Sequence, residues 1–353
     1  MASRPPKNRF VATMRKIYNP IGFSKGYNFV LWFIFSGAML GFCLARFMYL
    51  NYDGVYCPRG PGVEGAAVPG ECWTYSSKTY LLVGIKMHLY CIIPASFLAC
   101  FQFVPIIRHK VILAHRMNGY LVLLLSGPGA VGCVMVSRHA FGGGIDIQVI
   151  VGLMSIMFLG ALGLALYNVK MLQLEQHRAW MLRAWFYAAA IITCRFIMGL
   201  ASVITSLPSL GPYYYAKPCD LLATFYNSTS ALEAKYPMCA SPGAWAAVKA
   251  DAASDAKEAR SASLNMTFGM GLWLALALHA IGIEFYLQLT PAESERLRNV
   301  SYQRQLEAGH KNPGRSGLTA DRIGDAALWV PGCKDKQAGE ATVDRVPEGT
   351  VGG

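Results

Sequence analysis

Six long runs of apolar residues are the dominant pattern along this chain. Each is about as long as, or longer than, the roughly 18–20 residues that an α-helix needs to cross the hydrocarbon core of a bilayer. The runs cover approximately residues 27–50, 80–104, 118–136, 147–169, 181–204 and 264–289. The pattern predicts an all-α, polytopic membrane protein whose transmembrane domain is a six-helix bundle.

Basic residues in the intervening segments are placed unequally. Lys and Arg residues precede the first apolar run, lie between the second and third and between the fourth and fifth, and follow the sixth. Because cytosolic segments of membrane proteins are enriched in Lys and Arg, this side is predicted to be cytosolic, together with both termini. The predicted domains are a basic cytosolic N-terminus over residues 1–26, a transmembrane domain over 27–289 with lumenal loops at 51–79 and 205–263, and a partly flexible cytosolic tail over 290–353.

The composition agrees with a membrane protein and not with a soluble one. Of 353 residues, 54% are hydrophobic and only 15% are charged, a balance that is typical of polytopic membrane proteins. The first 25 residues are basic and lack the apolar core of a cleavable signal peptide, so the first span is expected to remain as an anchor. The net charge of +12 comes from residues beside the spans, which indicates the lipid bilayer as a partner and not nucleic acid.

Four cysteines and two glycosylation sequons lie on the predicted lumenal side. Disulfides form in oxidising compartments, and N-glycans are added to lumenal segments. Both features favour the endoplasmic reticulum or another endomembrane. The predicted disulfides join Cys57 to Cys72 and Cys219 to Cys239, and the predicted glycosylation sites are Asn227 and Asn265.

An arginine in the apolar body of the fifth run calls for an explanation. A charged side chain near the bilayer centre costs several kcal/mol unless it has a partner, so such residues usually face the bundle interior. His177 and Arg195 are 18 residues apart, which is five helical turns, and they share a face with small residues. The pattern predicts that Arg195 points into a polar-lined cavity, where it can meet an acid, a carbonyl group or a polar substrate.

Several familiar catalytic motifs are absent from the sequence. It contains no DDxxD or DxDD, no HExxH and no paired CxxC. Magnesium-dependent ionisation of a diphosphate and zinc hydrolysis are therefore disfavoured, and neither a metal nor a cofactor is predicted. The FGGG segment at residues 141–144 is interpreted as a flexible turn and not as a phosphate cradle, because no basic P-loop surrounds it.

Eight segments resemble a known family of membrane proteins. They are GFSKGYNFVLWF, QFVPIIRHK, HRMNGY, RHAFGG, QHRAWMLRAW, CRFIM, HAIGIEFYLQLT and SGLTADRIGDA. Together they are spread over most of the chain outside the lumenal loops. The chain resembles the fungal branch of a family catalogued as a membrane domain of unknown function, and it is similar to the membrane-bound terpene cyclases of fungal meroterpenoid pathways, such as those leading to ascofuranone and macrophorins.

The resemblance implies an integral-membrane terpene cyclase of fungal secondary metabolism. Such an enzyme cyclises a prenylated, farnesyl-type aromatic or its epoxide by protonating the epoxide or a terminal alkene. The reaction needs a general acid whose pKa is raised by apolar surroundings. The candidates are Asp146, Glu284 and Glu175, of which the first two are preferred because Glu175 is easier to solvate. Arg195 is expected to bind the phenol oxygen or to orient the acid, and Tyr and Trp rings are expected to shelter the carbocation.

The histidines leave a second interpretation open. His88, His115, His139, His177 and His279 are spread over several predicted helices and both membrane sides. In a cyclase they are candidates for substrate binding, although a lone intramembrane histidine often only links two helices by a hydrogen bond. Because histidines on different helices can also ligate haem, the alternative function is a haem-binding transmembrane electron-transfer protein, for example with His115 opposite His177. A scaffold or transport role is the third interpretation.

Overall fold

The computed structural model describes residues 8–58 and 65–332, and these residues are mostly helical. In chain order the helices are α1 (Arg9–Tyr18), α2 (Gly26–Arg46), α3 (Glu71–Ser76), α4 (Thr79–Gln102), α5 (Pro105–Lys110), α6 (Ile112–Val136), α7 (Ile145–Lys170), α8 (Leu174–Thr205), α9 (Cys219–Ala223), α10 (Thr229–Lys235), α11 (Lys257–Gln288), α12 (Pro291–Glu307) and α13 (Ala320–Ile323). The strands are β1 (Tyr214–Pro218) and β2 (Trp245–Lys249). The prediction of six spans is confirmed, since α2, α4, α6, α7, α8 and α11 are long and apolar enough to cross a membrane.

Three spanning helices begin one to two turns before the apolar run that predicted them. The helix α6 begins at Ile112, α8 at Leu174 and α11 at Lys257, whereas the apolar runs begin near residues 118, 181 and 264. Hydropathy marks only the part of a helix that suits lipid, but backbone hydrogen bonding continues through polar first turns. Residues 251–256, just before α11, are not helical.

The chain divides into two compact units. The first unit comprises Met1–Leu162 and Leu182–Phe285, and the second comprises Gly163–Met181 and Tyr286–Gly353. Small residues bring helices of the first unit into close contact. A Cβ added at Gly132 of α6 would overlap the α4 backbone at Gly84 and His88. Such close approach of glycines is a common way for membrane helices to associate.

The loops between the first and second, third and fourth, and fifth and sixth spans meet at one end of the first unit, which we call the loop end. There, β1 and β2 form an antiparallel pair with Tyr214 opposite Lys249. The strands and the short helices α9 and α10 enclose a small core that includes Leu222, Leu232 and Val248. The loop between α8 and α11 is therefore folded, and its strand pair is a small addition to an otherwise helical protein.

The second unit contains a network of buried polar side chains. Asn168 accepts a hydrogen bond from the Leu318 main chain (2.8 Å), and Gln305 donates to Gln173 (2.6 Å) and accepts from the Gly314 main chain (2.6 Å). The predicted helical start of the tail is present as α12. Its predicted flexible end is held by these contacts as far as the described residues extend, and the remainder of that prediction, residues 333–353, lies outside them.

Candidate active site at the loop end

Glu71 is a deeply buried acid at the loop end of the first unit. It is the first residue of α3 and is only 4% exposed. Its Oε2 accepts a hydrogen bond from the Tyr75 hydroxyl (2.6 Å), and its Oε1 accepts one from the Phe141 main chain (2.9 Å). The preceding Gly70 has a φ of 93° and lies against Leu221. A glycine is needed at this point because it adopts this conformation without strain.

The turn whose main chain contacts Glu71 contains three consecutive residues with positive φ. Phe141, Gly142 and Gly143 have φ values of 50°, 84° and 62°. A non-glycine residue in the left-handed region is uncommon and costs free energy. The ring of Tyr215 fills the space where a Gly142 side chain would be. The FGGG segment is therefore a packed turn with defined contacts, and not the flexible turn that the sequence suggests.

A buried lysine lies on the other side of the site. Lys217, in β1, is 1% exposed and donates a hydrogen bond to the Ser261 hydroxyl (2.9 Å). The amide oxygen of Asn265, in the orientation that satisfies its neighbours, accepts from Lys217 Nζ (3.1 Å) and from the Gly142 main chain (3.3 Å). These contacts link β1 and α11 to the turn that holds Glu71.

Arg195 of α8 lies over two stacked aromatic rings at the same site. The rings of Phe141 and Phe268 are parallel to within 11°, with their centroids 3.9 Å apart. The guanidinium carbon of Arg195 lies 4.9 Å from the Phe141 centroid and 5.5 Å from the Phe268 centroid. An arginine over a ring face is attracted by the ring quadrupole. This attraction offsets part of the free-energy cost of placing a charge in a spanning helix.

Burial dominates the electrostatics of the groups outside the spans. It raises the pKa of Glu71, although hydrogen bonds from Tyr75 and Phe141 and the charges of Lys217 and Arg195 oppose the shift. Burial also raises the pKa of Tyr75 well above its ordinary value. It lowers the pKa of Lys217 to about 8, an effect that the charge of Glu71 opposes. Burial therefore shifts Glu71 towards the protonated acid, whereas Lys217, with a pKa of about 8, still carries its charge at neutral pH.

The two preferred acids of the sequence analysis do not have the environment that was predicted for them. Asp146, at the start of α7, is exposed, so it lacks the apolar surroundings that a proton donor of this kind requires. Its carboxylate lies against Gly269 of α11. Glu284 accepts two hydrogen bonds from Arg183 (2.6 and 2.8 Å), which favour the ionised carboxylate.

The geometry also separates Glu284 from the polar-lined cavity that was predicted around Arg195. Glu284 follows Gly269 by 15 residues in α11, which is about 22 Å at the rise of an α-helix. Glu284 is therefore far along the helix from the loop end. A cavity of about 290 Å³ is lined by Arg15, Asn19, Gly22, Phe23 and Ser24, and no predicted site residue is among them.

Glu175 was expected to be the most easily solvated of the acids, and the structure contradicts this. Its side chain, in the second unit, is 6% exposed. It accepts hydrogen bonds from Gln173 and from the Ser301 hydroxyl (3.1 Å), with Arg298 nearby (4.0 Å). It therefore connects α8 to α12 within the polar network of the second unit.

Most of the predicted histidines contact main-chain carbonyl oxygens. His88 Nδ1 lies 2.8 Å from Gly129 O, and His177 Nδ1 lies 2.9 Å from Ala165 O. His279 uses both ring nitrogens, with Phe186 O at 2.7 Å and the Thr193 hydroxyl at 2.8 Å. These contacts have the geometry of hydrogen bonds that hold the backbone and neighbouring helices in place.

The other two histidines lie near opposite ends of α6. His139 is close to the site, where its Nε2 lies 3.1 Å from the Tyr80 hydroxyl. Burial, followed by the charges of Lys78 and Arg138, lowers its pKa. His115 is half-buried in the first turn of α6. No contact among the residues that the structure describes favours the haem alternative.

The loop cysteines are paired as the sequence analysis proposed, whereas one sequon is buried. The structure joins Cys57 to Cys72 and Cys219 to Cys239. Asn227 is exposed and accessible to glycosylation. Asn265 is 5% exposed and is bonded to its neighbours, so in the folded protein its side chain is not accessible for the glycosylation that the sequence predicts.

Sequence reasoning missed Glu71, Tyr75 and Lys217 because it searched the spans for costly polar groups. These three residues lie in loops, where a charged residue is normally exposed and carries no signal. The sequence contains one indication that Glu71 is held in place. It directly precedes Cys72, and the disulfide of Cys72 restrains the position of the neighbouring acid. Burial of a loop residue depends on contacts with distant segments, which a hydropathy pattern does not encode.

Comparisons with known proteins find a membrane-protein family and a fungal protein to which this chain is similar. Residues 85–216 match the model of a family described as "Predicted membrane protein (DUF2306)". The chain is 25% identical over 330 residues to "Ava biosynthesis cluster protein G" of Aspergillus versicolor, an alignment that covers 79% of this chain and 94% of the relative. No solved structure matches. The six apolar helices and these similarities together indicate an integral membrane protein related to a fungal biosynthesis-cluster protein.

Proposed function

We propose that this protein is an integral-membrane enzyme of fungal secondary metabolism that cyclises a prenylated, farnesyl-type aromatic or its epoxide. The proposal combines the similarity to a biosynthesis-cluster protein with the acid at the loop end. The observation that carries it is the burial of Glu71, which raises the pKa of this carboxyl group. A carboxylic acid whose protonated form is favoured by burial is suited to act as a general acid.

The proposed reaction is an isomerisation that needs no cofactor. Glu71 donates its proton to the epoxide oxygen or to an alkene carbon, and the resulting carbocation is attacked by another double bond of the same chain. The last cation loses a proton to water and the Glu71 carboxylate regains one from water, so the cyclic product has the composition of the substrate. The hydrogen bonds from Tyr75 and the Phe141 main chain stabilise the carboxylate that remains on Glu71.

The aromatic residues of the site have different proposed roles. Phe141 and Phe268 already carry the positive charge of Arg195, so their faces suit a carbocation poorly. Tyr75 and Tyr56 interact electrostatically with Glu71, and we assign the shelter of the cation to their rings. We place the enzyme in the endoplasmic reticulum or another endomembrane with the loop end in the lumen, where disulfides are stable.

The test is conversion of farnesylated phenols and their epoxides by microsomes that contain the protein. A product of unchanged mass and altered retention time is expected from the wild type. Glu71→Gln should lower the rate about 100-fold or more, because the amide keeps the shape but does not donate a proton in this way. Glu233→Gln makes the same chemical change at an exposed position of α10 and should leave the rate unchanged. Full activity of Glu71→Gln in folded protein would overturn the assignment.

A further inference from the structure

Arg195 has hydrogen-bonding capacity that the described residues do not use. A guanidinium has five N–H donors. Among residues 8–58 and 65–332, the specific contacts of Arg195 are with the Phe141 and Phe268 rings, and it forms no hydrogen bond or ion pair. Its nitrogens are not among the buried polar atoms that lack a hydrogen-bond partner, and the side chain is half-buried. They therefore remain accessible to a ligand at the loop end.

The acids around the site do not pair with this arginine. The carboxyl oxygens of Glu71 accept hydrogen bonds from Tyr75 and from the Phe141 main chain. The carboxylate of Asp146 is exposed and lies against Gly269. By contrast, Arg183 in the same helix forms a two-bond ion pair with Glu284. Among the described residues, therefore, Arg183 has a carboxylate partner and Arg195 has none.

The site also has more positive than negative charge when Glu71 is protonated. Glu71 interacts electrostatically with both Arg195 and Lys217, so its protonation removes the negative charge that offsets theirs. Lys217 is bonded to the neutral side chains of Ser261 and Asn265. An anion that enters such a site is attracted by both cations. The stacked rings hold the guanidinium from one side, and a contact of this type leaves the donors along the edges of the guanidinium available.

We propose that Arg195 binds a carboxylate on the aromatic head group of the substrate, which makes this protein selective for prenylated aromatic acids over neutral phenols. The planar fork of a guanidinium matches the two oxygens of a carboxylate and forms paired charge-assisted hydrogen bonds. A neutral phenol presents a single oxygen and no charge, so it uses this site less well. The inference rests on the proposed function for the prenylated aromatic, but not on which bond the enzyme forms.

The test is direct binding to the full-length protein in nanodiscs, measured separately from turnover. The probes are a farnesylated dihydroxybenzoic acid, its methyl ester and the corresponding farnesylated phenol without the carboxyl group. The wild type should bind the acid at least about tenfold more tightly than the ester or the phenol. Arg195→Gln should remove this preference, whereas Arg195→Lys, which keeps the charge but not the fork, should keep part of it.

Arg304→Gln is the matched control, since Arg304 is exposed in α12 and its loss should not change the preference. Equal binding of the acid and its ester by the wild type would overturn the proposal, as would a full preference for the acid in Arg195→Gln. If Arg195→Gln does not fold, the wild-type ligand series and Arg195→Lys still decide the question. Selective binding of the acid without any cyclised product would instead contradict the proposed reaction and leave this inference standing.

Discussion

The Tyr75 hydroxyl donates a hydrogen bond of 2.6 Å to Glu71, one helical turn earlier in α3. This contact joins two buried groups in a helix of only six residues. Because the helix lies in a loop between spans, neither residue is part of the polar pattern inside the membrane. The pair nevertheless lies beside the turn at Phe141 and interacts electrostatically with Arg195.

Activity is expected to fall as pH rises through the raised pKa of Glu71. The protonated form is the one that donates, and burial extends its range above the ordinary value of 4.5. The folded protein holds this proton at pH values where the unfolded chain has released it, so Glu71 makes the protein less stable as pH rises across that interval. Rate and stability measured from pH 4 to pH 9 should show both declines, and Glu71→Gln should flatten the stability curve. An activity that rises steadily with pH would contradict the assignment.

Lys217 is expected to have the opposite effect on stability at alkaline pH. Its pKa is lowered from 10.5 to about 8, so between these values the unfolded chain binds the proton more than the folded protein does. Stability should therefore increase with pH across this interval, by at most ~1.4 kcal/mol per pH unit. Denaturant unfolding in detergent at pH 7.5–10.5 measures this, and Lys217→Met should lose the increase. Lys249→Met, at an exposed position of β2, should retain it.

Gly142→Ala should destabilise the protein by more than about 2 kcal/mol, because an L-residue is strained at φ 84° and its Cβ would overlap the Tyr215 hydroxyl. Gly152→Ala is the control, since nothing lies within 4 Å of a Cβ at that position in α7. Alanine there should be neutral or stabilising by up to about 1 kcal/mol. Thermal unfolding of both variants tests the packed turn, and equal midpoints would show that the FGGG segment is as permissive as its composition suggests.

Asn227 is expected to be the glycosylated sequon of the α8–α11 loop, and Asn265 is not. Asn227 is exposed, whereas Asn265 is bonded to Ser261, Gly142 and Lys217. Asn227→Gln should abolish the mobility shift that peptide N-glycosidase produces. Asn265→Gln should leave that shift intact and lower the thermal unfolding midpoint, because the longer side chain disturbs a buried network. A shift that persists in Asn227→Gln would contradict this prediction.

Arg183 and Glu284 are expected to depend on each other. Their two hydrogen bonds are 2.6 and 2.8 Å long, and loss of either partner leaves a charge in a spanning helix without its counter-charge. Arg183→Gln and Glu284→Gln should each destabilise the protein by about 1–3 kcal/mol, and the double variant by less than their sum. A double-mutant cycle by denaturant unfolding measures the coupling. Strict additivity would mean that the ion pair contributes little.

The prediction of six spans was confirmed because the thickness of the bilayer alone sets the length of apolar sequence that a spanning helix needs. Boundaries were less accurate where a helix continues past its apolar part, as α11 does from Lys257. The surroundings predicted for the candidate acids were wrong for a different reason. Asp146 and Glu284 were selected by their position along the chain, but a proton donor is defined by its surroundings. The surroundings of Glu71 come from Tyr75 and Phe141, and Phe141 is 70 residues distant.

By itself the sequence determined that this is a six-span membrane protein, because hydrophobic length and the absence of charge are local properties of each helix. It also indicated which loop cysteines stand close enough in the chain to pair. Only the tertiary structure decided which charged groups are buried. It placed Glu71 and Lys217 away from water and left Asp146 exposed, since burial arises when segments far apart in the chain close around a side chain.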